Sequence, residues 1–243
     1  MSGFQFTRFE TYARQCPEKS RKDGRTAAEV LDEADRQPGN MPHVKRPHAP
    51  KLLYGVSVDE VRRLHDEVEN ATTTLKNGKT RKIRRTQNTL ATCIMSYPVP
   101  WSEVRGNKAE EKKLRSWMRD AVGFAKAEWG DDLKSVILHT DEKFPHLHAF
   151  GLRSDFDASM LHPGLAAAKG LTGIEAAKAA GDALIAVQDR YAEMVGERHG
   201  QCRIGPKPHR RLRQKRLTRR QWVEKQNKQD GLARLIRREE QEV

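Results

Sequence analysis

Val136-Ile-Leu-His-Thr-Asp-Glu-Lys-Phe-Pro-His-Leu-His-Ala-Phe-Gly151 brings three histidines and two carboxylates together within ten residues. Ser135 to Leu138 is rich in β-branched and aliphatic residues and reads as an incoming strand. Thr140 to Pro145 is polar, ends in proline and reads as a connection. Side chains alternate along a strand, so His146 and His148 share one face while Leu147 points into the core. Paired as a hairpin, the two strands return His139 beside both, with Asp141 and Glu142 close by. A single histidine on a strand is ordinarily just solvated or hydrogen-bonded. Three in this alternation suit a divalent transition metal, and the nearby carboxylates broaden the choice toward Mn²⁺ or Mg²⁺.

The chain has 243 residues, enough for one large domain with an extension. Hydrophobic residues make up 36% and charged residues 33%, so the core is modest and the surface polar. The formal net charge of +13 points to an anionic partner, nucleic acid or a membrane surface. No apolar run approaches the ~20 residues of a membrane span. The N-terminus has no apolar signal core, and Cys16, Cys93 and Cys202 are too widely spaced for a CxxC site or a disulfide framework. A cytoplasmic protein with reduced thiols is expected.

The hydrophobic pattern predicts a first strand over Phe4 to Phe9, left by Glu10-Thr-Tyr-Ala-Arg14. A helix over Thr26 to Arg36 is capped by Thr26 and ended by Pro38-Gly39. Met41 to Gly55 reads as irregular because of Pro42, Pro47 and Pro50. A helix over Ser57 to Thr74, a strand over Thr89 to Tyr97 and a long helix over about Lys108 to Trp129, capped from Ser102, follow. Beyond the histidine hairpin, Arg153 to Gly173 is loop-like and Ile174 to Arg198 helical. A last polar helix is expected from about Thr218 to Glu240. The order implies an α+β domain: a central antiparallel sheet with helices packed on one side, over residues 1–200, and a basic helical extension over 201–243.

Two basic runs stand out. Lys76 to Arg85 contains Arg81, Lys82, Arg84 and Arg85; Arg203 to Arg220 contains Arg210, Arg211, Arg213, Lys215 and Arg216, with no acid between. A basic run is often only a solvated face. Here the sign is shared across the chain, which favours phosphate contacts to DNA or RNA. No base-reading motif is evident.

His139-x-Asp-Glu-x-x-Pro145-His146-x-His148 resembles the metal-binding motif of plasmid mobilisation relaxases of the Mob/Pre (MobV) type, within the HUH endonucleases. Looser similarity runs through Arg84-Arg85, Leu90 to Ser96, Glu10 to Arg14, Pro42-His43-Val44, Tyr54-Gly55 and Gln188 to Arg198. The resemblance implies a DNA strand transferase that nicks one strand at a plasmid transfer origin and stays joined to the 5′ end. It implies His139, His146 and His148 as metal ligands. Glu142 would be a fourth ligand or a support, and Asp141 a group behind the ligands that helps to orient them. Plasmid DNA is the expected partner, with a conjugative coupling protein or accessory mobilisation protein beside it.

Many Mob/Pre proteins carry a nucleophilic histidine in a His-Asn-x-Arg motif soon after the first strand, and none exists here. Tyr12 and His43 are the two candidate nucleophiles, with Tyr54, Tyr97 and His48 behind them. Arg14 is a candidate phosphate contact by charge and nearness to Tyr12. Two other functions compete: a hydrolytic nuclease or phosphodiesterase, and a non-catalytic DNA-binding protein with a structural metal. Structural zinc sites favour cysteine, and none lies near His139.

Overall fold

The computed structural model describes residues 3–16, 24–41, 44–74 and 77–203. His43, Arg210, Arg211, Arg213, Lys215, Arg216 and the expected helix over Thr218 to Glu240 lie outside the described residues.

The first strand, β1 (Phe6–Ala13), is longer than expected and contains Glu10 and Tyr12 instead of ending before them. It pairs with β5 from Phe6↔Ser96 to Tyr12↔Leu90. Those backbone bonds outweigh the polar composition of residues 10–13. Phe4 stands outside the strand, in a lone parallel bridge to Cys202.

Helix α1 (Ala27–Ala34) follows its capping box: the Thr26 hydroxyl accepts from the Glu29 amide, and Glu29 accepts from the Thr26 amide. It stops at Ala34, before Pro38-Gly39, because Arg36 takes the left-handed conformation at φ 62°. β2 (Lys51–Gly55) corrects the irregular reading of its segment. The prolines all precede it, and it is an edge strand that pairs only with β6.

α2 (Val58–Asp66), capped by Ser57, ends eight residues short of the expected Thr74. A hairpin, β3 (Thr72–Thr74) with β4 (Thr80–Lys82), takes the remainder. β5 (Asn88–Ser96) is buried on both faces, and α3 (Trp101–Val104) is a short turn of helix. Ser102 lies inside α3, and Asn107 is the residue that caps the long α4 (Lys108–Trp129). Gly130, at φ 51°, closes α4. The histidine hairpin is β6 (Leu133–His139) and β7 (His146–Gly151).

After it, α5 (Pro163–Ala168) replaces part of the expected loop. α6 (Gly173–Tyr191) passes through a π-turn over 192–196 and a 3₁₀ turn over 197–199. Its inward side is Val187, Tyr191 and Val195, whereas Ile174 and Leu184 are exposed.

The five-stranded sheet has the order β1-β5-β7-β6-β2 and is antiparallel throughout. Helices cover both faces, not one. α4 and the end of α6 pack on the face of Phe9, Cys93, Met95, Leu147 and Ala149. α1 and α2 pack on the face of Leu90, Ile137 and Phe150. The second face carries the histidines. No helix among the described residues is long and apolar enough to cross a membrane.

Candidate metal centre

β6 and β7 pair His139↔His146 and Ile137↔His148, so the alternation of the strands puts all three imidazoles on one face. Their ring centroids are 4.7–5.2 Å apart. One nitrogen from each lies within 4.8 Å of the others. Leu147, between the two β7 histidines, is fully buried on the opposite face.

The hydrogen bonds fix two tautomers. A carbonyl oxygen can only accept, so His139 Nε2–H donates to Ala34 O at 2.8 Å and His146 Nδ1–H donates to Phe144 O at 2.9 Å. That leaves His139 Nδ1 and His146 Nε2 with lone pairs, facing each other at 3.3 Å. Two lone pairs that face each other with no proton between them repel, and a cation lying against both would relieve that repulsion. His148 Nδ1 is buried and has no hydrogen-bond partner among the described residues. Burial pushes His139 down to about 3, helped by the Arg36 charge, and burial likewise lowers His146 and, strongly, His148. Neutral imidazoles are the form that binds metal.

The β6–β7 connection is held from two sides. Arg36 forms a two-pronged ion pair with Asp141 and also reaches Glu142 Oε1 at 3.1 Å. Burial would raise the Asp141 carboxyl, but its bonds to Arg36 outweigh that and hold it below the usual range. The His48 amide donates to Asp141 Oδ2 at 3.3 Å. From the other side, the Tyr97 and Trp101 amides donate to Pro145 O and Lys143 O, each at 2.8 Å. Glu142 Oε1 lies 3.7 Å from His146 Nε2, at the rim of the cluster and outside the three-imidazole group.

The candidate nucleophiles fall in different places. Tyr12 shares the histidine face, but its partner Leu90 is four residues along β5 from Ile94, the partner of His148. Strand geometry puts its Cα roughly 16 Å from that of His148. The Tyr12 hydroxyl donates to Glu10 Oε2 at 2.8 Å, and burial followed by the Glu10 charge pushes it up to about 12. Tyr54 and Tyr97 are on the opposite face, under Lys126 and against Trp117. His48 is exposed at the metal end of the sheet, with Nε2 3.2 Å from Thr140 Oγ1. Arg14 Nη2 donates to Ile83 O at 2.8 Å, which commits that nitrogen to the backbone. Lys82, Arg84 and Arg85 are exposed and Arg81 half-buried.

Sequence reasoning missed Arg36, the Ala34 carbonyl and Arg25. Arg25 pairs with Glu33, and its charge acts on both Tyr12 and His148. None of the three stands in a motif, and the Arg36 contact spans 105 positions.

An antiparallel sheet carrying three neutral imidazoles on adjacent strands is the arrangement of a protein that can hold a divalent metal through three histidines. Residues 54–221, more than half of the chain, match the Mob/Pre family model, described as plasmid recombination enzyme, and the chain belongs to that family. Among solved structures, it resembles the MobM relaxase domain (MOBV; Mob/Pre) bound to plasmid pMV158 oriT DNA of 23 nucleotides, a Mn-bound crystal structure at pH 6.5. That match has a TM-score of 0.55 and 14% identity, covering 92% of this chain and 98% of that one. A Mn-bound structure of the same domain with 22 nucleotides of oriT DNA at pH 4.6 matches with a TM-score of 0.52 and 13% identity, over 91% and 99% of the two chains. No curated protein matches the chain.

Proposed function

We propose that the protein is a plasmid mobilisation relaxase, which nicks one DNA strand at a transfer origin and keeps the 5′ end as a covalent ester. The observation that carries the reading is the pair of facing lone pairs on His139 Nδ1 and His146 Nε2, 3.3 Å apart beside His148. Those three residues would hold a divalent metal, with Glu142 as support. Mn²⁺ fits an imidazole set with carboxylates nearby, and it is the ion in the MobM structures. When bound, the metal polarises the scissile phosphate and stabilises the charge that develops on its oxygens.

The protein's own groups supply the rest. The nucleophile attacks phosphorus, the bond to the 3′-oxygen breaks, and that oxygen leaves as a hydroxyl by taking a proton. The 5′-phosphate is left on the enzyme, and because its bond energy is kept the reaction can run backwards. Two residues are proposed for the attack. Tyr12 lies on the histidine face, still protonated, with its hydroxyl donating a hydrogen bond to Glu10, the carboxylate that would receive its proton on attack. His43 lies in the segment leading to His48, which bonds to the β6–β7 connection. Arg25, ion-paired with Glu33 and near enough for its charge to act on Tyr12 and His148, is proposed as a phosphate contact. Arg81, Lys82, Arg84 and Arg85 are proposed as DNA contacts, as are Arg210, Arg211, Arg213, Lys215 and Arg216 in the basic extension. Residues 1–200 would form the catalytic domain, working in the cytoplasm, and a coupling or accessory protein would receive the nicked strand.

The test is supercoiled plasmid carrying its cognate transfer origin, incubated with protein and Mn²⁺. Nicking should require the metal and should vanish in His146→Ala/His148→Ala, which keeps salt-sensitive DNA binding. A denaturing gel should show a protein–DNA adduct, and peptide mapping of it should end on Tyr12 or His43. Nicking without an adduct would replace the relaxase with a hydrolytic nuclease.

A further inference from the structure

Exposure alternates along β1 and the residues just before it. Gln5, Thr7 and Phe9 are buried, whereas Phe4, Phe6 and Arg8 are exposed. Among the described residues, Phe4 and Phe6 are the two exposed aromatic side chains, at 60% and 43%. Residues directly opposite each other in an antiparallel ladder share a face. Phe6 pairs with Ser96, Ser96 with His146, and His146 with His139. One straight row therefore crosses four strands, with Phe6 at one end and two of the three histidines at the other. The next row on that face is Arg8, Ile94, His148 and Ile137. Two strand spacings put the Phe6 Cα roughly 10 Å from that of His146.

The shelf between ring and histidines takes no part in the core. Phe4, Phe6, Ile94 and Ser96 belong to neither apolar cluster of the described residues. Helices α1 and α2 pack farther along the same face, over Leu90, Ile137 and Phe150. Arg8, paired with Glu10, adds a cation beside the ring. A molecule that covers Phe6 must also lie along Ser96 toward the histidines. In a chain of net charge +13 that favours nucleic acid. A protein surface seated there would close the metal centre to its substrate.

We propose that Phe6, with Phe4 beside it, is a stacking platform for unpaired bases of the DNA strand whose phosphate lies at the three histidines. Every base has a π-face, so stacking on an aromatic ring tolerates any sequence, but the base must be splayed out of a duplex to reach it. Phe4 and Phe6 stand two residues apart on one side of the chain, roughly 7 Å, so neighbouring bases can each meet a ring. β1 is an edge strand, and no further strand crowds the platform. The proposal rests on the relaxase reading for the phosphate at the histidines. It adds the part of the site that distinguishes an unpaired strand from a duplex.

The experiment measures binding to the full chain with Mn²⁺ by fluorescence anisotropy. Three labelled probes of equal length are used: a mixed-sequence DNA single strand of about 12 nucleotides, a strand of abasic units, and a blunt duplex. Phe6→Leu keeps an apolar side chain and loses the ring. It should bind the single strand about tenfold more weakly, while its affinity for the abasic strand and the duplex stays within about twofold of the parent. Phe6→Tyr should bind all three like the parent, which separates a lost ring from a lost fold. No charge changes, so the dependence of single-strand affinity on salt should keep its slope. Equal weakening on all three probes, a changed salt slope, or full single-strand affinity in Phe6→Leu would overturn the proposal. Full affinity together with lost self-association would assign the ring to a protein interface instead. Ring-dependent strand binding by a parent that never nicks would sink the relaxase reading and leave the platform standing.

Discussion

Arg36 donates from Nε and Nη2 to both carboxylate oxygens of Asp141, at 2.9 and 2.7 Å, across the gap between the end of α1 and the β6–β7 connection. The two side chains are 3% and 1% exposed. With either partner removed, the other is a buried charge without its counterpart. Arg36→Met should therefore cost about 3–5 kcal/mol in urea unfolding. Because the pair holds the connection between the ligand-bearing strands, Mn²⁺ affinity by calorimetry should fall about 10–100-fold. Arg36→Met/Asp141→Leu should recover most of the stability. A single variant as stable as the parent would mean that water already screens the pair.

Acid should unfold the metal-free protein earlier than its carboxylates alone require. Burial holds His65 at about 4 and His139 at about 3, against 6.5 in the unfolded chain. The unfolded state thus binds protons first as the pH falls. Stability is complete above 6.5 and drains away from there toward the folded values, by about 1.4 kcal/mol per pH unit for each histidine. Urea midpoints at pH 7.5, 5.5 and 4.5 in chelator should drop steadily. His65→Gln, which keeps a partner for the Thr89 hydroxyl, should give a shallower slope by one proton. A flat profile would contradict the buried neutral histidines.

Gly55 ends β2 at φ +75°, where an added Cβ would stand 1.9 Å from Lys134 O. Backbone cannot yield as a flexible side chain can. Gly55→Ala should lose at least about 2 kcal/mol and loosen β2 from β6. Limited proteolysis should then cut faster between residues 47 and 56; an unchanged digestion pattern would show that the edge strand accommodates the methyl group.

Thr26→Ala removes the capping box at the start of α1 and should cost about 1 kcal/mol. Thr26→Ser should restore it. Ala34 and Arg36 are at the far end of the same helix, so metal affinity should change less than threefold, about 0.6 kcal/mol. A loss as large as that of Arg36→Met would mean that the whole helix, not its last turn, sets the ligand geometry.

Local chemistry made much of this readable. His146-Leu147-His148 alternates as a strand must, and Thr26 with Glu29 spells a helix start. Long-range partners decided what local sequence does not show. Glu10 and Tyr12 look like the end of a strand until β5 pairs with them. Lys51–Gly55 looks irregular because prolines precede it, yet β6 makes it a strand. Ile174, Leu184, Val187, Tyr191 and Val195 fit one helical stripe, but only its later part meets the sheet: Val187, Tyr191 and Val195 are buried, Ile174 and Leu184 exposed. At the site, the three histidines could be read because they are near in sequence. Arg36 could not, because nothing within α1 announces a partner 105 residues away.

β7 sits in the middle of the sheet, bonded along its length to β5 on one side and β6 on the other. Its amides belong to the part of the fold that opens last, with a protection near that of global unfolding. Two of the three ligands ride on that strand. Loss or exchange of the ion need not wait for any fluctuation of the backbone beneath it, so an emptied centre would keep its shape and be ready to refill.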